Sequence, residues 1–216
     1  KLGVADDVAL SPDNAFFLIC DYFFLGHTLA SEGKIVTHVD TNTNTATRNY
    51  KGFGIPFGID ISPDTSFALV ADCDKVSIGH IDLRTHQVSF PYPNEGIDGL
   101  GGVAISPDAS FALFTNCNHN NIGRINLRTN QITFHYKNCG LKNPHGIAIS
   151  PDSRHAVVAN FDGNNIALID LQTDEVSFPF PDAGFNKPRG VAFSPNGALV
   201  LVANEHGNNI ACIDFH

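Results

Sequence analysis

The chain has 216 residues, 43% of them apolar and 16% charged, with 19 glycines and 12 prolines, a balance that suits many short strands joined by turns and excludes disorder or a mainly helical build. Its net charge of −9, with 13 Lys and Arg scattered singly, offers no footprint for a phosphate backbone, so nucleic acid is excluded as a partner. The longest apolar stretch, residues 15–25, is broken by Asp21 and falls far short of the roughly 20 residues that span a bilayer, so no membrane span is expected.

Taken in chain order, the first element reads VALSPDNAFFLICD from Val8, and its shape returns four times. The later copies are IDISPDTSFALVAD from Ile59, GVAISPDASFALFTN from Gly102, IAISPDSRHAVVAN from Ile147 and VAFSPNGALVLVAN from Val191. Counted from Ser11, Ser62, Ser106, Ser150 and Ser194, the spacings are 51, 44, 44 and 44. The third copy shows the unit most clearly: strands are expected over 102–105, 111–116, 122–127 and 131–136. In its Ser106-Pro107-Asp108 turn, proline presets φ at the second position and aspartate can bond the backbone beside it. Asp82-Leu83-Arg84-Thr85, Asn126-Leu127-Arg128-Thr129 and Asp170-Leu171-Gln172-Thr173 mark the turn between third and fourth strands. Phe111, Leu113 and Phe134, with Phe67, Leu69 and Phe90 as their equivalents, read as packing between successive sheets.

Four short antiparallel strands in about 44 residues match the blade of a β-propeller. The expected fold is therefore an all-β propeller of five repeats, approximately 1–51, 52–95, 96–139, 140–183 and 184–216, forming a single domain. The last repeat stops after its third strand, which gives nineteen strands rather than twenty and one strand missing at the join. A five-bladed ring closed by a three-stranded blade is the preferred reading. A fragment of a longer propeller, or self-association through the open edge strand over 210–215, are the alternatives.

The phrase G-[VI]-A-[IF]-S-P-[DN], followed by V-A-N, N-N-I and I-D and clearest in residues 190–204 and 208–214, resembles the YVTN-type propeller repeat, a relative of NHL and lactonase-like propellers. The resemblance covers essentially the whole chain. It implies a propeller fold and, by the habits of such proteins, an extracellular or cell-surface setting; function stays open between binding scaffolds, lyases and sugar-lactone hydrolases.

Functional information is expected where one copy departs from the others. Repeat one carries nine extra residues between its second and third strands, around residues 23–33, which puts His27 in a longer loop on the face where propellers commonly bind. The residues just ahead of the inner strands also differ: Asp6, Phe57, Gly101, His145 and Arg189, each followed by glycine except Asp6, which is followed by Asp7. They should ring the mouth of a central channel. Asp6, His145 and Arg189 there offer an acid, a base and a fixed cation, the candidate catalytic set, and with His27 and Phe57 the candidate ligand contacts. Solvated lining of a wet channel mouth is the plainer reading of the same residues.

An Asp or Asn ends every second strand (Asp21, Asp72, Asn116, Asn160, Asn204), which reads as a hydrogen bond to the local backbone, whereas the next residue varies. Five cysteines without CxxC spacing argue against a disulfide framework or zinc ribbon. Cys117 and Cys139 are the pair to consider for one disulfide or, with His119, for a soft metal; no cofactor is expected beyond that divalent-metal option.

Three functions follow. The first is a non-enzymatic binding scaffold with a protein, small-molecule or sugar ligand on the loop face. The second is a lyase or lactonase-like hydrolase acting in the channel mouth. The third, a multivalent lectin, wants an aromatic platform in each blade, yet the chain has no tryptophan.

Overall fold

The computed structural model describes residues 4–22, 34–180 and 184–215, so His27 and the insertion around it lie outside the described residues. Every sheet begins from the same local chemistry. Ser106 Oγ donates to Asp108 Oδ1 at 2.6 Å and accepts from Phe111 N at 3.1 Å, and Asp108 Oδ1 also accepts from Ser110 N. The fourth turn residue takes a positive φ in each copy: 58° at Asn14, 57° at Thr65, 53° at Ala109, 60° at Ser153 and 72° at Gly197. Ser11, Ser62, Ser150 and Ser194 repeat the serine's bonds, so one turn folds the first strand onto the second in all five copies. At the turn after the third strand, Asp82, Asn126 and Asp170 each accept two backbone N–H groups from the residues two and three ahead.

The result is all-β, a β-propeller fold of five small antiparallel sheets in sequential strand order. The first sheet is β1 (Val4–Leu10), β2 (Phe16–Tyr22), β3 (Lys34–Asp40) and β4 (Thr45–Tyr50). The second is β5 (Pro56–Ile61), β6 (Phe67–Asp72), β7 (Ser77–Asp82) and β8 (Val88–Ser89). The third is β9 (Leu100–Ile105), β10 (Phe111–Asn116), β11 (Asn121–Asn126) and β12 (Gln131–His135). The fourth is β13 (Pro144–Ile149), β14 (His155–Asn160), β15 (Asn165–Asp170) and β16 (Val176–Ser177). The fifth has three strands, β17 (Pro188–Phe193), β18 (Leu199–Asn204) and β19 (Asn209–Asp214), so nineteen strands stand among the described residues.

The chain divides into two compact units, Lys1–Gly96 with two blades and Ile97–His216 with three. Alternation along each strand gives every blade two apolar faces. In the first unit Ala9, Leu18, Cys20 and Val36 of the first blade pack on Ile59, Ile61, Ala68, Val70 and Ile81 of the second. In the second unit Ala104, Phe111, Leu113 and Ile122 of the third blade meet Ile147, Ala156, Val158, Ala167 and Ile169 of the fourth. Val157, Ala159 and Ile166 on the fourth blade's other face then meet Val200, Val202 and Ile213 of the fifth. Each fully buried Leu or Ile here contributes about 1.5–3 kcal/mol, so inter-blade packing is the main stabiliser. Among the described residues no helix is long and apolar enough to cross a membrane.

Candidate functional site

In all five blades the residues singled out ahead of the inner strand sit at a β-bulge. Ala5 pairs with Asp21 and Asp7 with Cys20, which makes Asp6 the extra residue. Phe57 and Arg189 are the extra residues in the second and fifth blades by the same shift. In the fourth blade the register jumps from Pro144 opposite Asn160 to Ile147 opposite Val158, setting His145 and Gly146 against one residue. A bulge re-aims a side chain out of the sheet's strict alternation, which is why this position can vary without disturbing the packed faces.

The recurring Asp or Asn holds the segment that leads into that bulge. Asp72 accepts from Gly54 N at 2.6 Å, Ile55 N at 2.8 Å and Lys75 N at 3.2 Å. Asn116, Asn160 and Asn204 accept from Asp98 N, Lys142 N and Asn186 N, each 18 residues upstream. The expected bond to local backbone is therefore only part of the role; the larger part is to anchor the incoming loop, and all three asparagines spend their amide on a second Asn of the next strand.

In the second unit these loops bring His145 and Arg189 into one cluster. The His145 ring centre lies 4.7 Å from that of Phe161, and Phe161 meets His206 edge-on at 6.4 Å. Lys187 Nζ sits 4.9 Å from the Phe161 ring centre and bonds Asp162. Arg189 Nη1 donates to Glu205 Oε2 at 3.0 Å, and His206 Nε2 is 3.8 Å from Glu205 Oε1. Burial pushes His145 down to about 4, helped by the Arg189 charge and opposed by Glu205 and Asp162, so its ring is neutral at pH 7. The Lys187 hydrogen bond holds Asp162 below the usual carboxylate range. An aromatic patch with two imidazole edges is thus framed by two ion pairs, and Arg189 brings its own counter-ion.

Asp6 and Phe57 belong to the first unit. There Asp7, which replaces the glycine of other copies, accepts from Val8 N and Ile59 N at 2.9 Å each and ties two inner strands together. Burial raises it to about 6, against the pull of those two bonds, and the neighbouring Asp6 charge adds to the rise. Phe161, Asp162, Lys187 and Glu205 were not singled out as ligand contacts from sequence. Phe161 and Glu205 did carry a signal, since each follows the recurring Asn where the copies disagree. Lys187 and Asp162, 25 residues apart, carried none.

The two cysteines considered as a pair hold separate partners. Cys117 Sγ donates to Pro144 O and Cys139 Sγ to Tyr136 O, each at 2.8 Å, and both remain thiols rather than a disulfide. Among the described residues no three His, Cys, Asp or Glu side chains gather to hold a metal, and His119 is bonded at 3.4 Å to Asn116 instead. A shallow cavity of about 450 Å³, lined by Phe111, Arg124, Thr133 and His135 among others, lies on the third blade away from this cluster.

The fold and the bulged loop ends define a β-propeller. No known family model and no curated protein matches the chain. Among solved structures it is similar to a functionally unknown protein from Desulfotomaculum acetoxidans DSM 771, with a TM-score of 0.72 and 19% identity over 99% of this chain and 66% of that one. It is also similar to a chain in the crystal structure of a nidogen/laminin complex, with a TM-score of 0.74 and 14% identity over 83% of this chain and 70% of that one. The chain thus spans about two thirds of the length of the first of these propellers.

Proposed function

We propose that the protein is a non-enzymatic binding scaffold of the YVTN-type propeller class, using the loop ends of its blades as the contact surface. The carrying observation is the His145–Phe161–His206 cluster framed by the Lys187–Asp162 and Arg189–Glu205 pairs. A half-buried aromatic beside a neutral imidazole, with charged groups at the rim, is the composition of a recognition patch. The similar chain in a nidogen/laminin complex comes from a protein assembly, which agrees with a protein ligand.

A second reading, a lyase or lactonase-like hydrolase, draws on the convergence of His145 and Arg189. Against it, a histidine near 4 is a weak base at neutral pH, and Arg189 is matched by Glu205. Thermal shift against peptides, sugars and sugar lactones, with and without divalent ions and chelator, separates the readings. A stabilising peptide or sugar that F161A no longer recognises supports the scaffold; turnover of a lactone lost in H145A would overturn it.

A further inference from the structure

We infer that the third blade carries a second binding site, for an acidic sugar, in the cavity of about 450 Å³ on its outer part, apart from the loop-end patch. Strand register sets Phe111, Arg124 and Thr133 on one face of this sheet. The inner part of that face packs on the fourth blade, so the site lies wholly within the second unit.

Arg124 supplies the charge. Its guanidinium carbon lies 4.0 Å from the Phe111 ring centre, and such stacking fixes the plane of the five-donor fork while leaving its N–H edge to a ligand. Elsewhere Arg84 pairs with Asp64 at 3.7 Å, Arg154 with Asp152 at 3.9 Å and Arg189 with Glu205 at 3.0 Å. Among the described residues no carboxylate pairs with Arg124 and none lines the cavity, in a chain of net charge −9. Asp174 of the next blade is taken by Tyr136 Oη at 2.6 Å. A neighbouring hollow of about 480 Å³ holds both Arg128 and Asp108, so the unopposed charge belongs to the first cavity. Arg124 is also where the copies part: strand register gives its place to His38, His80, Leu168 and Cys212 in the other blades. His38 and His80 stack on Phe16 and Phe67 at 4.3 and 5.1 Å, so the third blade keeps the stack and exchanges a titratable ring for a permanent cation.

The rest of the lining decides what the anion is attached to. Ser110, Asn126, Gln131 and Thr133 carry neutral groups that both donate and accept, the match for hydroxyl groups. Thr133 Oγ1 lies 2.8 Å from His135 Nε2, and both reach this face because β12 has five residues where β8 and β16 have two. A guanidinium fork takes a carboxylate through two parallel bonds. One carboxylate and several hydroxyls on a small frame describe a uronate. A neutral sugar gains less here, because Phe111 is buried beneath Arg124 and offers no bare ring face.

The test titrates the chain with glucuronate, galacturonate and mannuronate, and with glucose, acetate and inorganic phosphate, followed by ligand-observed NMR. At least one uronate should bind saturably, and at least about 10-fold more tightly than glucose, acetate or phosphate. Arg124→His restores the residue type of the first two blades, with circular dichroism as the folding check. At pH 8, where the new imidazole is neutral, it should weaken that uronate at least about 10-fold, and Thr133→Val should weaken it roughly 2- to 10-fold. Phe161→Ala, which tests the loop-end patch, should leave uronate binding unchanged, so the two sites can fail separately. The assignment is overturned if no uronate binds, if acetate or phosphate binds as tightly and the cavity is an adventitious anion site only, or if uronate binding survives R124H or is lost in F161A.

Discussion

The two ends of each blade obey different rules. At the turn end, the Ser-Pro-Asp turn and the Asp-or-Asn turn after the third strand repeat the same bonds from copy to copy, within five residues of each other in sequence. At the loop end the backbone is held as uniformly, by the Asp or Asn anchor and the bulge, while the side chains differ: Phe57, His145 and Arg189 occupy one bulge position. Uniform scaffolding with variable decoration is how a repeat protein separates stability from recognition.

The strongest way to break this contrast is to remove an anchor. Asp72→Ala strands the N–H groups of buried Gly54 and half-buried Ile55, while that of exposed Lys75 turns to water, and should cost about 3–4 kcal/mol in urea unfolding, since each unmet buried donor costs about 1–3 kcal/mol. A loss under about 1 kcal/mol would mean that water replaces the carboxylate without penalty.

Next in size, Gly146→Ala forces a Cβ against Arg189 O and should cost about 2–3 kcal/mol, whereas Gly190→Ala has room and should stay within about 0.5 kcal/mol. Equal losses at both sites would show that the glycines are needed for backbone freedom rather than for close approach.

Two loop-end groups titrate with opposite signs. His145, lowered to about 4, binds fewer protons folded than unfolded between pH 4 and its ordinary 6.5, so its contribution is full above 6.5 and fades as pH falls. Asp7, raised to about 6, binds more protons when folded, so stability falls as pH rises from its ordinary 3.8 through 6. Both side chains are half-buried, which limits each effect to about 1–2 kcal/mol. The two effects oppose one another in the wild type, so in urea midpoints taken from pH 4 to 7, D7N should leave a rise with pH and H145Q a fall. Parallel curves for the two variants would refute the assignment.

The smallest effect belongs to the turn end. Ser106→Ala deletes one acceptor for Phe111 N and should cost about 1 kcal/mol, and the same change at Ser62 or Ser150 should match it within about 0.5 kcal/mol. Scatter beyond that would deny that the turns are interchangeable.

These contrasts also explain what the sequence could say. Strand order, the turns and the three-stranded last sheet were legible because Ser106 reaches only to Asp108 and Phe111, and such short-range chemistry is written in adjacent letters. The bulge at His145 was half legible, as a variable residue ahead of glycine. The reach of Asn160 to Lys142, the Lys187–Asp162 pair and the Cys117 bond to Pro144 depend on which loops become neighbours, and no local pattern encodes that.

Strand order has a kinetic consequence. Because each sheet runs in simple chain order, every pairing joins strands that are nearest neighbours in sequence, and a blade needs no distant segment to form its ladder. Loop closures are short, and short closures are fast. A blade can therefore nucleate as soon as its own roughly 40 residues are available, and growth passes from one blade to the next through the apolar faces, in the order in which the ribosome delivers them.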